Sequence, residues 1–192
     1  MYSNNLLATV RLHSTPKVLT IQPGYFCNVE PNTGNTSVII EEFLYERNDE
    51  PKAVLLSHKQ SEKVKTNLAT ADIVVGGGRG LKTKETFELI HRLADTMHAA
   101  VGVTRAAADL GFAPYDLQIG QTGKVISPTI YFAIGISGAT QHIAGIYLSK
   151  IIVAINTNRE EPIFESSDIG LIGDATTIIP QLITKLSPNN NK

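Results

Sequence analysis

The chain has 192 residues, which is enough for one well-packed core or for one domain with an appendage. Its residues are 42% hydrophobic and 18% charged and its formal net charge is −1, so charge alone attracts it neither to nucleic acid nor to an anionic membrane surface. The single cysteine, Cys27, excludes an internal disulfide framework and a cysteine-rich zinc site, and no apolar run approaches the ~20 residues of a membrane span.

Short β-type runs dominate the first 70 residues. Residues 7–12 and 18–21 predict a hairpin, and residues 37–45 and 53–57 predict two further strands. No helix is predicted in this part. A few strands without a helix bury little surface, so we expect them to pack on the second half, on another chain or on sequence beyond this one.

From Ala71 onward, apolar strands alternate with helices. The first strand ends in the glycines of ADIVVGGG, and the helix after it has Thr83 as its expected N-cap. Helices are predicted at 83–100, 104–110, 139–148 and 175–186, and strands at 100–103, 131–136, 150–155 and 169–172. Continuous apolar strands that alternate with helices predict an α/β fold, with a parallel sheet covered on both faces.

Small, polar and basic residues follow the ends of these strands. They lie at 76–79, at Thr104 and Arg105, at 137–142, at Asn156 and at Asp174. The carboxyl ends of parallel strands form the ligand crevice of an open sheet. Glycines for close backbone approach, arginines for phosphate and Asn or Asp for ribose or adenine together predict a nucleotide cofactor without saying which one.

Each of these features also has a purely structural interpretation. GGGRG at 76–80 is a poor match to GxGxxG and could be a simple turn, and Arg79 within it could be solvated. His142, about one turn into a helix, is typical of a packed or solvent-facing histidine. No metal ligand set, nucleophile–base pair or Walker lysine is evident, which favours a redox carrier over a hydrolase or a transferase.

Several motifs occur in one order that resembles a known family. They are GGRGL at 77–81, AAVGVTRAA at 99–107, QIGQTGKVISP at 118–128, GISGATQHIAG at 135–145, VAIN at 153–156 and GLIGD at 170–174. This order resembles the FAD-binding C-terminal domain of the electron-transfer flavoprotein α subunit, over about residues 71–186. The resemblance implies a Rossmann-like, deoxyhypusine-synthase-like NAD/FAD-binding fold, preceded by a short β-rich segment.

The resemblance also implies which residues contact FAD, and that none of them is catalytic in its own right. Thr122 would hydrogen-bond flavin N5, while Arg105 and His142 would stabilise negative charge on the reduced ring. Arg79 and the helix start at 138–141 would serve the pyrophosphate or nearby polar groups, and Asn156 and Asp174 the adenosine half. The implied contacts are Arg79, Thr104, Arg105, Ile119, Gly120, Gln121, Thr122, Ser137, Gly138, Ala139, Thr140, Gln141, His142, Asn156, Asp174 and Ala175.

By the same resemblance, residues 71–192 form the FAD-binding domain, and residues 1–70 are the closing strands of a preceding domain plus a linker. The implied partners are an electron-transfer flavoprotein β subunit, acyl-CoA dehydrogenase-type donors of fatty acid β-oxidation and a membrane quinone oxidoreductase, with nucleic acid excluded. The implied location is the bacterial cytoplasm or the mitochondrial matrix. The alternatives are an NAD-dependent enzyme of similar fold, for which Lys124 is the nearest basic residue, and a cofactor-free interaction fragment.

Overall fold

A computed structural model describes residues 8–20, 41–42, 56–57 and 67–187 of the chain. Its five strands are β1 (Ile73–Gly77), β2 (Ala100–Val103), β3 (Ile130–Ile134), β4 (Ile151–Asn156) and β5 (Ile169–Ile172). Its four α-helices are α1 (Lys84–Met97), α2 (Arg105–Asp109), α3 (Thr140–Ile146) and α4 (Ala175–Leu186). The helices and strands predicted from Ala71 onward are therefore confirmed, with small differences at their ends.

The five strands form one parallel sheet in the order β2-β1-β3-β4-β5. Val75 of β1 pairs with Phe132 of β3, which pairs in turn with Val153 of β4. The chain leaves β1 toward one side of the sheet to reach β2, and β3 lies on the other side of β1. The order therefore reverses between β1 and β3, and in sheets of this kind ligands bind at such a switch point.

Alternate side chains of the strands fill two separate cores, as the two-residue period of a strand requires. On one face, Val75 and Ile155 pack with Phe87 of α1 and Ile179 of α4. On the other face, side chains of β1, β3 and β4 pack with Ile146 of α3 and with neighbouring loops. Both faces are thus covered, as the apolar strands predicted.

Local signals explain where the helices begin and end. The hydroxyl of Thr83 accepts a hydrogen bond from the backbone N–H of Thr86 at 3.2 Å, so Thr83 is the N-cap of α1 as predicted. This helix ends at Met97, earlier than predicted, because His98 adopts a left-handed φ of 53°. Strand β3 ends at Ile134, two residues early, because Gly135 has a φ of 62°.

The first 70 residues differ from the prediction where the structure describes them. Residues 8–20 contain no strand and are exposed throughout, so the hairpin predicted at 7–12 and 18–21 is not formed within the described residues. The apolar side chains predicted to pair remain in solvent, and Val18 is 77% exposed. Of the strands predicted at 37–45 and 53–57, only 41–42 and 56–57 are described, and these four residues are not in a strand.

Candidate functional site

A cleft of about 760 Å³ opens at the carboxyl ends of β1 to β4, at the switch point of the sheet. A smaller cavity of about 140 Å³ adjoins it toward the end of β5. Twelve residues predicted from the sequence line the larger cleft: Arg79, Thr104, Arg105, Ile119, Gly120, Gln121, Thr122, Ser137, Ala139, Gln141, His142 and Asn156. Asp174 and Ala175 line the smaller cavity. Fourteen of the sixteen predicted contacts therefore line these two cavities at one edge of the sheet.

The polar loop before β3 is held against helix α3 at several points. The backbone N–H of Gln121 donates to the carbonyl of Gln141 at 2.8 Å, and that of Ile126 donates to the carbonyl of Gly145 at 2.9 Å. A Cβ atom on Gly145 would lie 2.4 Å from the backbone nitrogen of Gly120, so only glycine lets the loop and the helix approach this closely. The two segments that flank β3 thus form one wall of the cleft.

The hydroxyl of Thr122 is oriented by a buried neighbour, Gln118. The side-chain amide of Gln118, which is 7% exposed, donates from Nε2 to Thr122 Oγ1 at 3.0 Å. A hydroxyl oxygen that accepts this bond keeps its own proton for another acceptor. Thr122 therefore offers a positioned O–H donor to the cleft, and Gln118 is a site residue that the sequence prediction missed.

His142 is buried at the side of the cleft, and both of its ring nitrogens have partners. Nδ1 lies 3.1 Å from the carbonyl oxygen of Ile119, and Nε2 lies 3.0 Å from the hydroxyl of Tyr131. A carbonyl only accepts, so Nδ1 carries the proton and donates to Ile119, while Nε2 of the neutral ring accepts from Tyr131. Burial lowers the pKa of His142 from 6.5 to about 4, although the bond to Ile119 acts in the opposite direction. The imidazole is consequently neutral near pH 7.

Arg105 lies at the opening of the cleft, and most of its side chain is exposed to solvent. Its Nε atom lies 4.0 Å from Oδ2 of Asp109, one turn along α2, and the two side chains are 71% and 52% exposed. Asp109 also accepts a hydrogen bond from the hydroxyl of Tyr115 at 2.8 Å, which raises the pKa of that tyrosine. Because so exposed an ion pair is weak, the guanidinium of Arg105 is available to a ligand.

The glycines after β1 allow two loops at the edge of the site to pack together. A Cβ atom on Gly78 or Gly80 would lie 2.2 or 2.7 Å from the carbonyl oxygen of Gly135, and Gly80 donates its N–H to that oxygen at 2.9 Å. These two glycines therefore allow the loops after β1 and β3 to pack on each other, and Gly80 also lines both cavities.

Three polar residues of the predicted site also hold backbone in place. Thr104 caps α2 by accepting from Ala107 N–H, and Asp174 caps α4 by accepting from Thr176 N–H at 2.7 Å. The hydrogen bonds from Thr176 are the main cause of a lowered pKa for Asp174. Asn156 donates to the carbonyl of Ile136 at 3.0 Å and so ties the end of β4 to the segment after β3.

Two of the predicted contacts, Gly138 and Thr140, line neither cavity. A Cβ atom on Gly138 would lie 2.3 Å from the nitrogen of Ile163, so this glycine packs under a neighbouring segment. Lys124, the basic residue closest to what an NAD-dependent enzyme would need, is not among the lining residues either. Lining residues of the larger cleft that the sequence prediction missed are Gly80, Lys82, Ala106, Asp109, Gln118, Gly135, Ile136, Thr157, Asn158 and Glu161.

The described part of the chain contains neither a metal-ligand cluster nor a membrane-spanning helix. No group of three or more His, Cys, Asp or Glu side chains is arranged there to hold a metal ion. No helix within residues 67–187 has the length and apolar character needed to cross a membrane.

The parallel sheet, the switch-point cleft and its lining define a nucleotide-binding α/β domain of the Rossmann-like class. Residues 67–147 match the family described as the electron transfer flavoprotein FAD-binding domain. The electron transfer flavoprotein subunit alpha of Pseudomonas aeruginosa is 41% identical over 182 residues, which cover 95% of this chain and 58% of that protein. Residues 67–147 therefore belong to the electron transfer flavoprotein FAD-binding family, and the chain is similar to α subunits along nearly its whole length.

Other α subunits align over nearly all of the chain. That of Paracoccus denitrificans is 43% identical over 186 residues, which cover 97% of this chain and 59% of the relative. The mitochondrial α subunit of Arabidopsis thaliana is 42% identical over 193 residues, which cover 97% of this chain and 53% of the relative. The chain thus spans a little over half the length of these relatives.

Proposed function

We propose that this chain binds FAD in the cleft and carries electrons as the α component of an electron transfer flavoprotein. The observation that carries the proposal is the convergence of both segments flanking β3 on one cleft. Thr122 and Gln121 from the segment before the strand, and Gln141 and His142 from the segment after it, all line that cleft. The membership of residues 67–147 in an FAD-binding family supports the choice of FAD over other dinucleotides.

The cleft has the dimensions and the chemistry that FAD requires. Its volume of about 760 Å³ lies within the usual range for cofactor sites, and the adjoining cavity of about 140 Å³ extends it toward Asp174. We propose that the flavin half lies near Thr122, Arg105 and His142, and that the adenosine half extends toward Asn156 and Asp174. A ligand with two bulky ends and an anionic linker fits this elongated shape.

When bound, FAD supplies the redox chemistry itself. The chain's own side chains would bind and tune it. Thr122 presents the O–H oriented by Gln118 to a ring nitrogen. Arg105 supplies a positive charge that stabilises added electron density, and a fixed cation acts more strongly as water is excluded from the site. His142 offers a neutral ring with both nitrogens already bonded, so we propose that it shapes the site and excludes water rather than providing a charge.

We further propose that the chain acts as a carrier and has no substrate chemistry of its own. Its proposed partners are an electron-transfer flavoprotein β subunit, acyl-CoA dehydrogenase-type donors and a quinone oxidoreductase, and its proposed location is the bacterial cytoplasm or the mitochondrial matrix. The names of the relatives support the α-subunit role, and they include bacterial and mitochondrial proteins. The lining of the cleft, which lacks Lys124, gives no support to the NAD-dependent alternative.

Reconstitution of the purified chain with FAD or with NAD tests this proposal. After removal of free ligand, we expect stoichiometric FAD with a perturbed flavin absorption spectrum, and little retained NAD. Thr122→Val should weaken FAD binding, whereas Thr96→Val is the matched control, because Thr96 lies on α1 with its hydroxyl bonded to Arg92. Retention of NAD in preference to FAD, or of neither ligand, would contradict the proposal.

A further inference from the structure

Lys82 lies where the larger cleft and the smaller cavity meet. Five residues line both of them, namely Gly80, Lys82, Gly135, Asn156 and Thr157. Lys82 is the one charged residue of this shared set. A ligand that occupies both cavities must pass its linker through the junction, so the only charge that the junction offers to that linker is positive.

The backbone at Lys82 has a conformation that disfavours a lysine. Its φ is 65° and its ψ is −41°, and the N–H of Thr83 donates to the carbonyl of Leu81 at 2.7 Å across it. This is a γ-turn of the rare, strained type, with Lys82 at its centre. Glycine adopts this combination of φ and ψ at lower cost. A long cation held at such a position indicates that the side chain has a role that outweighs the strain.

The charge of Lys82 is not neutralised by an ion pair with any described residue. The salt bridge between Arg105 and Asp109 does not involve Lys82. Lys82 does act on Asp174, because its positive charge is a minor cause of the lowered pKa of that carboxyl. Its field therefore reaches the smaller cavity that Asp174 lines, while its side chain also lines the larger cleft.

We infer that the Lys82 ammonium binds the pyrophosphate linker of the dinucleotide, an inference that rests on the proposed FAD function. Arg79 lines the larger cleft but not the smaller cavity, so the two cations meet different parts of the ligand. A charge-assisted hydrogen bond from an ammonium to a phosphate oxygen is among the stronger polar contacts in proteins. Lys82 thus links the flavin and adenosine halves of the site.

The test compares three variants of the full chain by fluorescence titration with FAD and with riboflavin, which lacks the pyrophosphate. Lys82→Asn removes the charge, and Lys82→Arg retains it. Lys84→Gln is the control, because Lys84 begins α1 two residues later and lines neither cavity. We expect Lys82→Asn to weaken FAD binding about tenfold or more, as for the loss of one hydrogen bond to a charged group. Riboflavin binding should not change, and Lys82→Arg should restore most of the FAD affinity.

Thermal unfolding without ligand separates a binding role from a structural one. Because Lys82 forms no ion pair with a described residue, Lys82→Asn should melt at about the same temperature as the unsubstituted chain. Unchanged FAD affinity of Lys82→Asn, or an equal loss for riboflavin, would overturn the assignment of Lys82 while leaving FAD binding intact. Failure of the unsubstituted chain to bind FAD would overturn both proposals.

Discussion

The hydroxyl of Tyr131 lies 3.0 Å from Nε2 of His142, and this pair connects the buried sheet to the wall of the cleft. Tyr131 is fully buried on β3, under Gly76 of the neighbouring strand, where a Cβ atom would lie within 1.9 Å of the hydroxyl oxygen. The bond from His142 Nδ1 to the Ile119 carbonyl continues the connection into the loop that carries Thr122. A side chain in the core thereby fixes the position of a residue in the site.

The first prediction is that the stability of the chain falls in mild acid because His142 is buried and neutral. Its pKa is about 4 in the folded chain and 6.5 in the unfolded chain, so between these values the unfolded state binds more protons. The contribution of the neutral His142 ring to the free energy of unfolding is complete above pH 6.5, the pKa in the unfolded chain. This contribution is lost as the pH falls toward about 4, the pKa in the folded chain. The free energy of unfolding should drop by about 2 kcal/mol between about pH 7.5 and about pH 5.

Urea denaturation at the two pH values measures this drop. His142→Gln should remove most of the pH dependence while lowering stability overall. His98→Asn is the control, because His98 is exposed and asparagine also accepts its left-handed φ of 53°. If the free energy of unfolding depended on pH equally in the unsubstituted chain and in His142→Gln, a neutral His142 could not be the cause of that dependence.

The second prediction concerns Tyr131→Phe, which removes the donor to His142 Nε2. Burial raises the pKa of Tyr131 far above its usual range, so its hydroxyl stays protonated and able to donate. Without it, a buried ring nitrogen has no partner, which costs about 1–3 kcal/mol. Tyr115→Phe, which removes an exposed hydroxyl, should cost less than about 0.5 kcal/mol. Chemical denaturation at neutral pH compares the two, and equal losses would contradict the role assigned to Tyr131.

The third prediction is that Gln118 contributes to FAD binding only through Thr122. Gln118→Met keeps the length of the side chain but loses the donor to Thr122 Oγ1, so the hydroxyl is no longer oriented. We expect FAD affinity to fall by roughly threefold to tenfold, equivalent to about 1 kcal/mol. In a Thr122→Val background, the same substitution should have no further effect on affinity. Additive losses in this double-mutant cycle would show that Gln118 acts independently of Thr122.

The second half of the fold could be predicted from the sequence because local signals and burial agree there. The stripe of Phe87, Ile90 and Leu93 marks the buried face of α1, and Thr83 marks its start. The sequence also predicts that the polar residues after the strands lie around one cleft, because parallel strands bring their carboxyl ends to one edge of the sheet. Errors at the ends of elements came from positive φ angles at His98 and Gly135, which residue type alone does not specify.

Two features of the site could not be predicted because they depend on three-dimensional contacts. Tyr131 and His142 are 11 residues apart and meet only once β3 and α3 have packed together. The γ-turn at Lys82 has no sequence signature, since a lysine is unfavourable there. In the first 70 residues, the short β-type runs predict paired strands, but a strand needs a partner that local pattern does not supply. The exposure of Val10, Val18 and Leu19 shows that no described residue covers them.

The last prediction is that Arg105 tunes the reduction potential of bound FAD more than it tightens FAD binding. Removal of its charge in Arg105→Ala destabilises added electron density, so the midpoint potential should fall by roughly 40 mV, equivalent to about 1 kcal/mol for one electron. Asp109→Asn removes the nearby opposing charge, 4.0 Å from Arg105 Nε, and should shift the potential in the opposite direction. Spectroelectrochemical titration at two salt concentrations measures both shifts. Because these side chains are exposed, both shifts should diminish at high salt. Shifts of the same sign in the two variants would indicate altered packing of α2 rather than an effect of charge.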